Sequence, residues 1–173
     1  MSDRGSIDRV DRAHLRRAIE LAVETGDAGN RPFGAVVVGA DGTVVAEGAN
    51  SVTTSGDVTE HAELDAVTTA CGEGNAGQLV GATVYASGEP CPMCAAAMVW
   101  AGVRRVVFGA AAAQFGGILS GGPRFTLGCA EVIASANQGT VVSGPHLGDE
   151  ALAPFHRFVA ENQTLPAEAV GEP

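Results

Sequence analysis

His61-Ala62-Glu63 and, further along, Glu89-Pro90-Cys91-Pro92-Met93-Cys94 are the stretches that decide how this chain is read. One His and two Cys at this spacing are three ligands of the kind zinc takes, and three protein ligands leave a fourth tetrahedral position open to water, where a structural site closes all four. Two thiolates offset the charge of the metal, so a bound water is less acidified than on a three-histidine site and a neighbouring base is needed. Glu63 is the candidate for that base. Residues two apart on an ideal helix point roughly 200° away from each other, so His61 and Glu63 share a site only if a helix begins near His61 and both side chains look out of its first turn. Asp57 and Thr59 are the expected caps of that helix. Cys91 and Cys94, three apart, fall on one helical face, and Pro90 and Pro92 suit the start of a helix. The partial positive charge of a helix N-terminus lowers thiol pKa and favours the metal-binding thiolate.

Other readings of the same residues explain less. Cys-x-x-Cys alone fits a redox pair, which leaves His61 and Glu63 unexplained. A closed zinc site would need a fourth ligand from Cys71 or Cys129, neither of which has a partner at ligand spacing; both read as buried, inert thiols. His14, His146 and His156 read as surface or interface residues.

With 173 residues, 46% hydrophobic and 17% charged, the chain is expected to form a single domain over 1–173 that buries a core without disulfides. The charged stretch Met1 to Glu20 has no apolar run, so neither a signal peptide nor a membrane span is expected, and the expected compartment is the cytoplasm, where thiols stay reduced. Net charge is −10, from 10 basic and 20 acidic residues, with six of the ten basic residues in the first 31 positions. Binding a polyanion takes Lys and Arg to neutralise phosphates, so this balance points away from a nucleic-acid substrate and towards a small neutral one.

Hydrophobic periodicity predicts a helix over Asp8 to Glu24, a hairpin of Phe33 to Val38 and Thr43 to Gly48, and a Ser/Thr-rich loop over Asn50 to Gly56. A helix over Glu60 to Cys71 carries the first half-site; a strand over Ala82 to Ser87 leads to Glu89, and a helix over Cys91 to Ala101 carries the second. Strands over Val103 to Gly109 and Thr140 to Val142 follow, and a terminal helix over Asp149 to Asn162 precedes a flexible tail from about 164 to 173. Ala111 to Cys129 is Gly-rich and reads either as a plain loop or as a flexible wall of a pocket, and Val132 to Ala136 is ambiguous. Successive strand-helix-strand passages imply parallel pairing in the later part of the sheet. The expected fold is α/β: a three-layer α/β/α sandwich with a mixed sheet of about five strands.

The H-x-E…P-C-x-x-C pattern is that of the zinc deaminases, and with its motifs placed the chain resembles the cytidine deaminase superfamily over almost its full length. The nearer likeness is to bacterial guanine deaminases and related free-nucleobase deaminases, through Arg31 to Val38, Ala46 to Ser55, Thr59 to Glu63 and Glu89 to Cys94. The resemblance implies Zn²⁺ held by His61, Cys91 and Cys94, with Glu63 taking a proton from the attacking water and returning protons to the ring nitrogen and the departing ammonia. It implies that Asn50 hydrogen-bonds the base and that Phe33 and Trp100 line the pocket. The alternatives are a turn role for Asn50 and core packing for the two aromatics. Glu150 falls where guanine deaminases offer a second acidic group to the purine, or is an exposed residue at a helix start. The implied substrate is a nucleobase, guanine first, with cytosine or an amino-triazine next; tRNA adenosine deamination and a non-catalytic zinc protein are the remaining readings. A homodimer is implied as well, with C-terminal segments exchanged between subunits. The chain departs from the family at Val58, where Pro is common, at Glu60, where a small residue is usual, and at Gly88, where a Cys often stands. No aromatic residue follows Phe158.

Overall fold

Alternation of apolar side chains along three short strands builds two cores, one on each face of a single sheet. The computed structural model describes residues 6–163; the tail expected at 164–173 lies outside them. The strands are β1 (Gly34–Val38), β2 (Val44–Ala49), β3 (Thr83–Gly88), β4 (Arg105–Ala110) and β5 (Val141–Ser143), in the order β2-β1-β3-β4-β5. β1 runs antiparallel to both β2 and β3, whereas β3, β4 and β5 are parallel. The sheet is therefore mixed, with its parallel half where helical crossovers join the strands.

The helices are α1 (Arg9–Asp27), α2 (Val52–Ser55), α3 (Ala62–Gly72), α4 (Pro92–Trp100), α5 (Ala112–Ile118), α6 (Cys129–Ala134) and α7 (Asp149–Gln163), with a 3-10 turn at Ala76–Leu79. Ala35, Val37, Val84 and Val106 turn to one face, where Ala62 and Ala66 of α3, Met98 of α4 and Ile133 of α6 cover them. Val36, Val38, Tyr85 and Val107 turn to the other, against Leu15 and Ala18 of α1 and Ala151 and Phe155 of α7. This is the period-two pattern of a sheet buried on both sides. Among the described residues, no helix is long and apolar enough to cross a membrane.

Three stretches differ from the expectation. The loop expected from Asn50 contains α2, and the Gly-rich stretch after β4 contains α5. The ambiguous Val132 region belongs to α6, which starts earlier, at Cys129. Of the two thiols expected to be buried, Cys129 is, and Cys71 is exposed.

Far from the ends of the strands where the motif residues lie, an ionic network ties α1 to the sheet. Asp8 caps α1 by accepting the Asp11 backbone N–H at 2.8 Å. The Asp11 carboxylate, itself buried, receives the Tyr85 hydroxyl at 2.8 Å and both terminal nitrogens of Arg105 at 2.6 and 2.9 Å. The Arg105 hydrogen bonds outweigh desolvation and hold the Asp11 carboxyl down at about 2. A carboxyl with a depressed folded-state pKa stabilises the fold above its unfolded value near pH 4 and loses that contribution as pH falls through the folded value. Asp11→Asn is therefore expected to cost on the order of 2 kcal/mol at neutral pH, and less as pH falls from 4 to 2. Denaturant unfolding of both proteins across that range tests this; a difference that does not change with pH rejects it.

Candidate active site

The strand registers bring one end of β1 and the ends of its neighbours together: Gly34 lies opposite Ala49, Ala35 opposite Ala86, and Gly88 opposite Ala110. Phe33, Asn50, Glu89 and Ala111, the residues next to those ends, therefore share one edge of the sheet. Open α/β sheets bind ligands at such an edge, outside the carboxyl ends of their strands.

Two helices start at this edge. His61 is the N-cap of α3, with extended backbone angles (φ −80, ψ 151), and Glu63 is the second residue of its first turn. Cys91 is the N-cap of α4 (φ −68, ψ 168), Pro92 occupies its first turn, and Cys94 is the third residue. The extended N-cap lets His61 share a site with Glu63, as the 200° separation on a regular helix would not. Neither expected cap reaches α3. The Asp57 carboxylate instead accepts the backbone N–H and the hydroxyl of Thr59 at 2.8 and 2.6 Å and closes the preceding turn.

The ligand atoms converge. His61 Nδ1 lies 3.5 Å from Cys91 Sγ and 3.6 Å from Cys94 Sγ, and the two sulfurs are 3.6 Å apart. Zn–S bonds of about 2.3 Å and Zn–N bonds of about 2.0 Å at tetrahedral angles require ligand separations of about 3.5–3.8 Å. The three donors thus form one face of a tetrahedron of zinc size. The hydrogen bond between the two thiols, with that to His61, draws the Cys91 thiol down to about 4, and the same contact together with burial pushes Cys94 up. His61 is raised, chiefly by its hydrogen bond to Cys91. Glu63 is 6% exposed, and burial raises its carboxyl pKa.

Asn50 sits where β2 ends. Its backbone N–H donates to Phe33 O at 3.2 Å and its side-chain oxygen accepts from Val52 N at 3.3 Å. Asp65, on α3, accepts the Ala49 N–H at 2.9 Å and so fixes the residue before it. Glu60 accepts the Ser51 hydroxyl, which ties the loop bearing Asn50 to the residue before His61. Phe33 forms a three-ring cluster with Phe115 and Phe155, at centroid distances of 5.2 and 5.3 Å. The same rings explain Gly88: a Cβ there would stand 2.9 Å from Phe33 and 3.1 Å from Phe115.

Trp100 and Glu150, the other two implied substrate residues, are both exposed. Trp100 is 90% exposed at the last turn of α4. Cys94, Ala95 and Met98 are the buried residues of that helix, and position 100 is off their stripe. Glu150, in the first turn of α7, pairs with Arg16 at 2.6 Å on the α1 face, across the sheet from α3 and α4.

A cleft of about 400 Å³ opens beside the cluster. Pro90, Cys91 and Pro92 line it together with Phe115, Leu119 and Phe125 from the segment after β4. Of the metal-binding residues Cys91 alone borders it. Three side chains that hold this region carried no assigned role in the sequence: Glu89, Asp65 and Arg31, the last donating to Ser120 O and Gly121 O at 2.8 and 3.0 Å. Glu89 stood inside the quoted motif, which was its one signal.

A mixed α/β sheet carries at its edge a His-Cys-Cys cluster that could hold a metal ion, with a buried carboxylate beside it. The chain belongs to the family of the cytidine and deoxycytidylate deaminase zinc-binding region, whose model matches residues 8–110. It is 50% identical over 97 residues to the guanine deaminase of Bacillus subtilis, a match covering 56% of this chain and 62% of that enzyme. It is 33% identical over 155 residues to a probable cytosine deaminase of Schizosaccharomyces pombe, covering 88% and 94% of the two chains. The solved guanine deaminase of Nitrosomonas europaea superposes with a TM-score of 0.72 at 27% identity, covering 86% of this chain and 84% of that one. Bacterial tRNA-specific adenosine deaminases are similar as well. Zinc is the metal of this family, and His61, Cys91 and Cys94 are the residues that would hold it.

His61→Ala, Cys91→Ser and Cys94→Ser are each expected to lower bound zinc from one per chain by about tenfold or more. Metal analysis of the purified variants measures this, and a variant that keeps full zinc is not a ligand variant.

Proposed function

We propose that this protein is a zinc-dependent aminohydrolase of a free nucleobase, converting guanine and water to xanthine and ammonia. The observation that carries the reading is the 50% identity to a guanine deaminase, across a stretch of 97 residues, in a chain that keeps Glu63 beside its metal cluster. The acidic balance of the chain supports a small neutral substrate over a polyanion.

His61, Cys91 and Cys94 would hold the zinc, which when bound would offer a position for water and make that water more acidic. Glu63 takes the proton of the attacking water, whose oxygen adds to the amino-bearing ring carbon. The carboxyl passes that proton to the ring nitrogen, then takes the remaining hydroxyl proton of the adduct and passes it to the amine, which leaves as ammonia as the C–N bond breaks and the ring C=O forms. Burial raises the pKa of Glu63, which makes the protonated form easier to hold between the two transfers. Asn50 orients the base by hydrogen bonding, and Phe33 supports the pocket through its ring cluster.

Cytosine deamination is the second reading, favoured by the likeness to a probable cytosine deaminase along nearly the whole of both chains. The test is ammonia release by the zinc-loaded protein from guanine, cytosine, an amino-triazine, adenine, cytidine and guanosine. Turnover confined to guanine is expected, with Glu63→Ala keeping its zinc and losing activity by about a thousandfold or more. Turnover of cytosine alone would favour the second reading; silence on all six, with adenosine deamination in tRNA assayed next and found, would replace both. Comparable activity in Glu63→Ala would reject the role given to that carboxyl.

The same reading implies a homodimer with exchanged C-terminal segments. Sedimentation is expected to give twice the chain mass, and a monomer alone would remove the exchange.

A further inference from the structure

We propose that Glu89 is a positioning residue that sets the width of the cleft beside Cys91, and that this cleft is the way by which substrate reaches the cluster. Its two carboxylate oxygens reach two distant points of the chain: Oε2 accepts the Ala112 N–H at 2.9 Å and Oε1 accepts the Cys129 N–H at 3.1 Å. Its own backbone N–H donates to Ala110 O at 2.7 Å. Glu89 thus anchors both ends of the segment that forms a wall of the cleft, while its main chain runs directly into Pro90 and Cys91, which also line it. Arg31 fastens the tip of the wall at Ser120 and Gly121, and Arg124 reaches back to Leu119 O at 3.3 Å. A segment that leaves and returns to one carboxylate is closed like an Ω-loop, and its freedom to open is limited by that contact.

Glu89 belongs to neither the metal-binding cluster nor the proton path. It acts through the position of Phe115, Leu119 and Phe125 relative to Cys91. Hydrogen bonds to a charged acceptor are stronger than neutral ones, so two of them from one carboxylate hold the wall against thermal opening. Gly128 is part of the same contact: a Cβ there would lie 3.0 Å from Glu89 Oε1 and displace the carboxylate. The backbone of Gly128 has φ −83, so alanine brings no backbone strain; its Cβ presses on Glu89 Oε1 and only touches Glu131 Oε2, at 3.5 Å.

The inference rests on the nucleobase deaminase reading for its kinetic readout, and its structural readout stands apart from that reading. Zinc-loaded wild type, Glu89→Ala, Glu89→Gln and Gly128→Ala are compared by steady-state kinetics on the base that wild type deaminates, by metal analysis, and by amide hydrogen exchange over 112–129. Loosening the wall removes binding shared by substrate and transition state. Glu89→Ala is therefore expected to raise KM about tenfold with kcat within about twofold, full zinc and an unchanged pH profile. Exchange over 112–129 becomes faster. Glu89→Gln keeps one acceptor and sets an amide N–H₂ against the other N–H, so it falls between the two. Gly128→Ala moves KM and exchange in the same direction, and carries the comparison if Glu89→Ala does not fold. Unchanged KM and exchange in Glu89→Ala and Gly128→Ala overturn the proposal, as does loss of zinc with activity, which would place the effect in the metal loop. If wild type turns over none of the bases, the substrate reading fails, and exchange over 112–129 still decides the clamp: faster in Glu89→Ala supports it, unchanged rejects it.

Discussion

The convergence of two helix N-termini on one edge of the sheet is the constraint from which the site follows. α3 and α4 each begin with an extended residue, His61 and Cys91, so their side chains turn back towards the same point. The N-terminal ends of both helices add positive potential where the sulfurs lie, and the Cys94 backbone N–H reaches the Cys91 sulfur. The height of α3 above the sheet is set by Gly48: a Cβ there would meet the Ala62 carbonyl and the Ala66 amide. A missing side chain on β2 therefore helps to bring His61 and Glu63 within reach of the two thiols.

Rigidity and chemistry lie at opposite ends of the strands. Arg105 opens β4 and holds Asp11 there, while Ala110 closes the same strand beside the Glu89 backbone. Each seam near the cluster is closed by a short polar contact, such as Asp65 to Ala49 or Ser51 to Glu60. These contacts fix backbone positions and leave the ligand atoms of His61, Cys91 and Cys94 to one another.

Much of this was legible in the sequence, because ligand chemistry and strand alternation are local. The grouping of His61, Cys91 and Cys94 agrees with their spacing, and the layered mixed sheet follows from strand periodicity. Contacts across long separations left no such trace. Trp100 was assigned to the pocket by likeness, whereas the stripe formed by Cys94, Ala95 and Met98 leaves position 100 outside the core. Glu150 was placed by likeness also, and Arg16, 134 residues away, holds it on the other face of the sheet. The stretch after β4 was obscured by its glycines. Yet Gln114 and Glu131 reach back to the N–H groups of Ala111 and Gly128, three residues earlier, and such N3 residues are a usable start signal for α5 and α6.

The aromatic cluster behind Gly88 also bears on how this chain can change. Phe33 and Phe115 fill the volume that a side chain at position 88 would occupy. A cysteine or any larger residue there is blocked until one ring has been trimmed, and trimming a ring first leaves a void in the layer shared with Phe155. The two steps are each costly alone and compatible together. Position 88 and the two phenylalanines therefore form a small epistatic unit, in which the order of substitutions decides whether intermediate sequences stay folded.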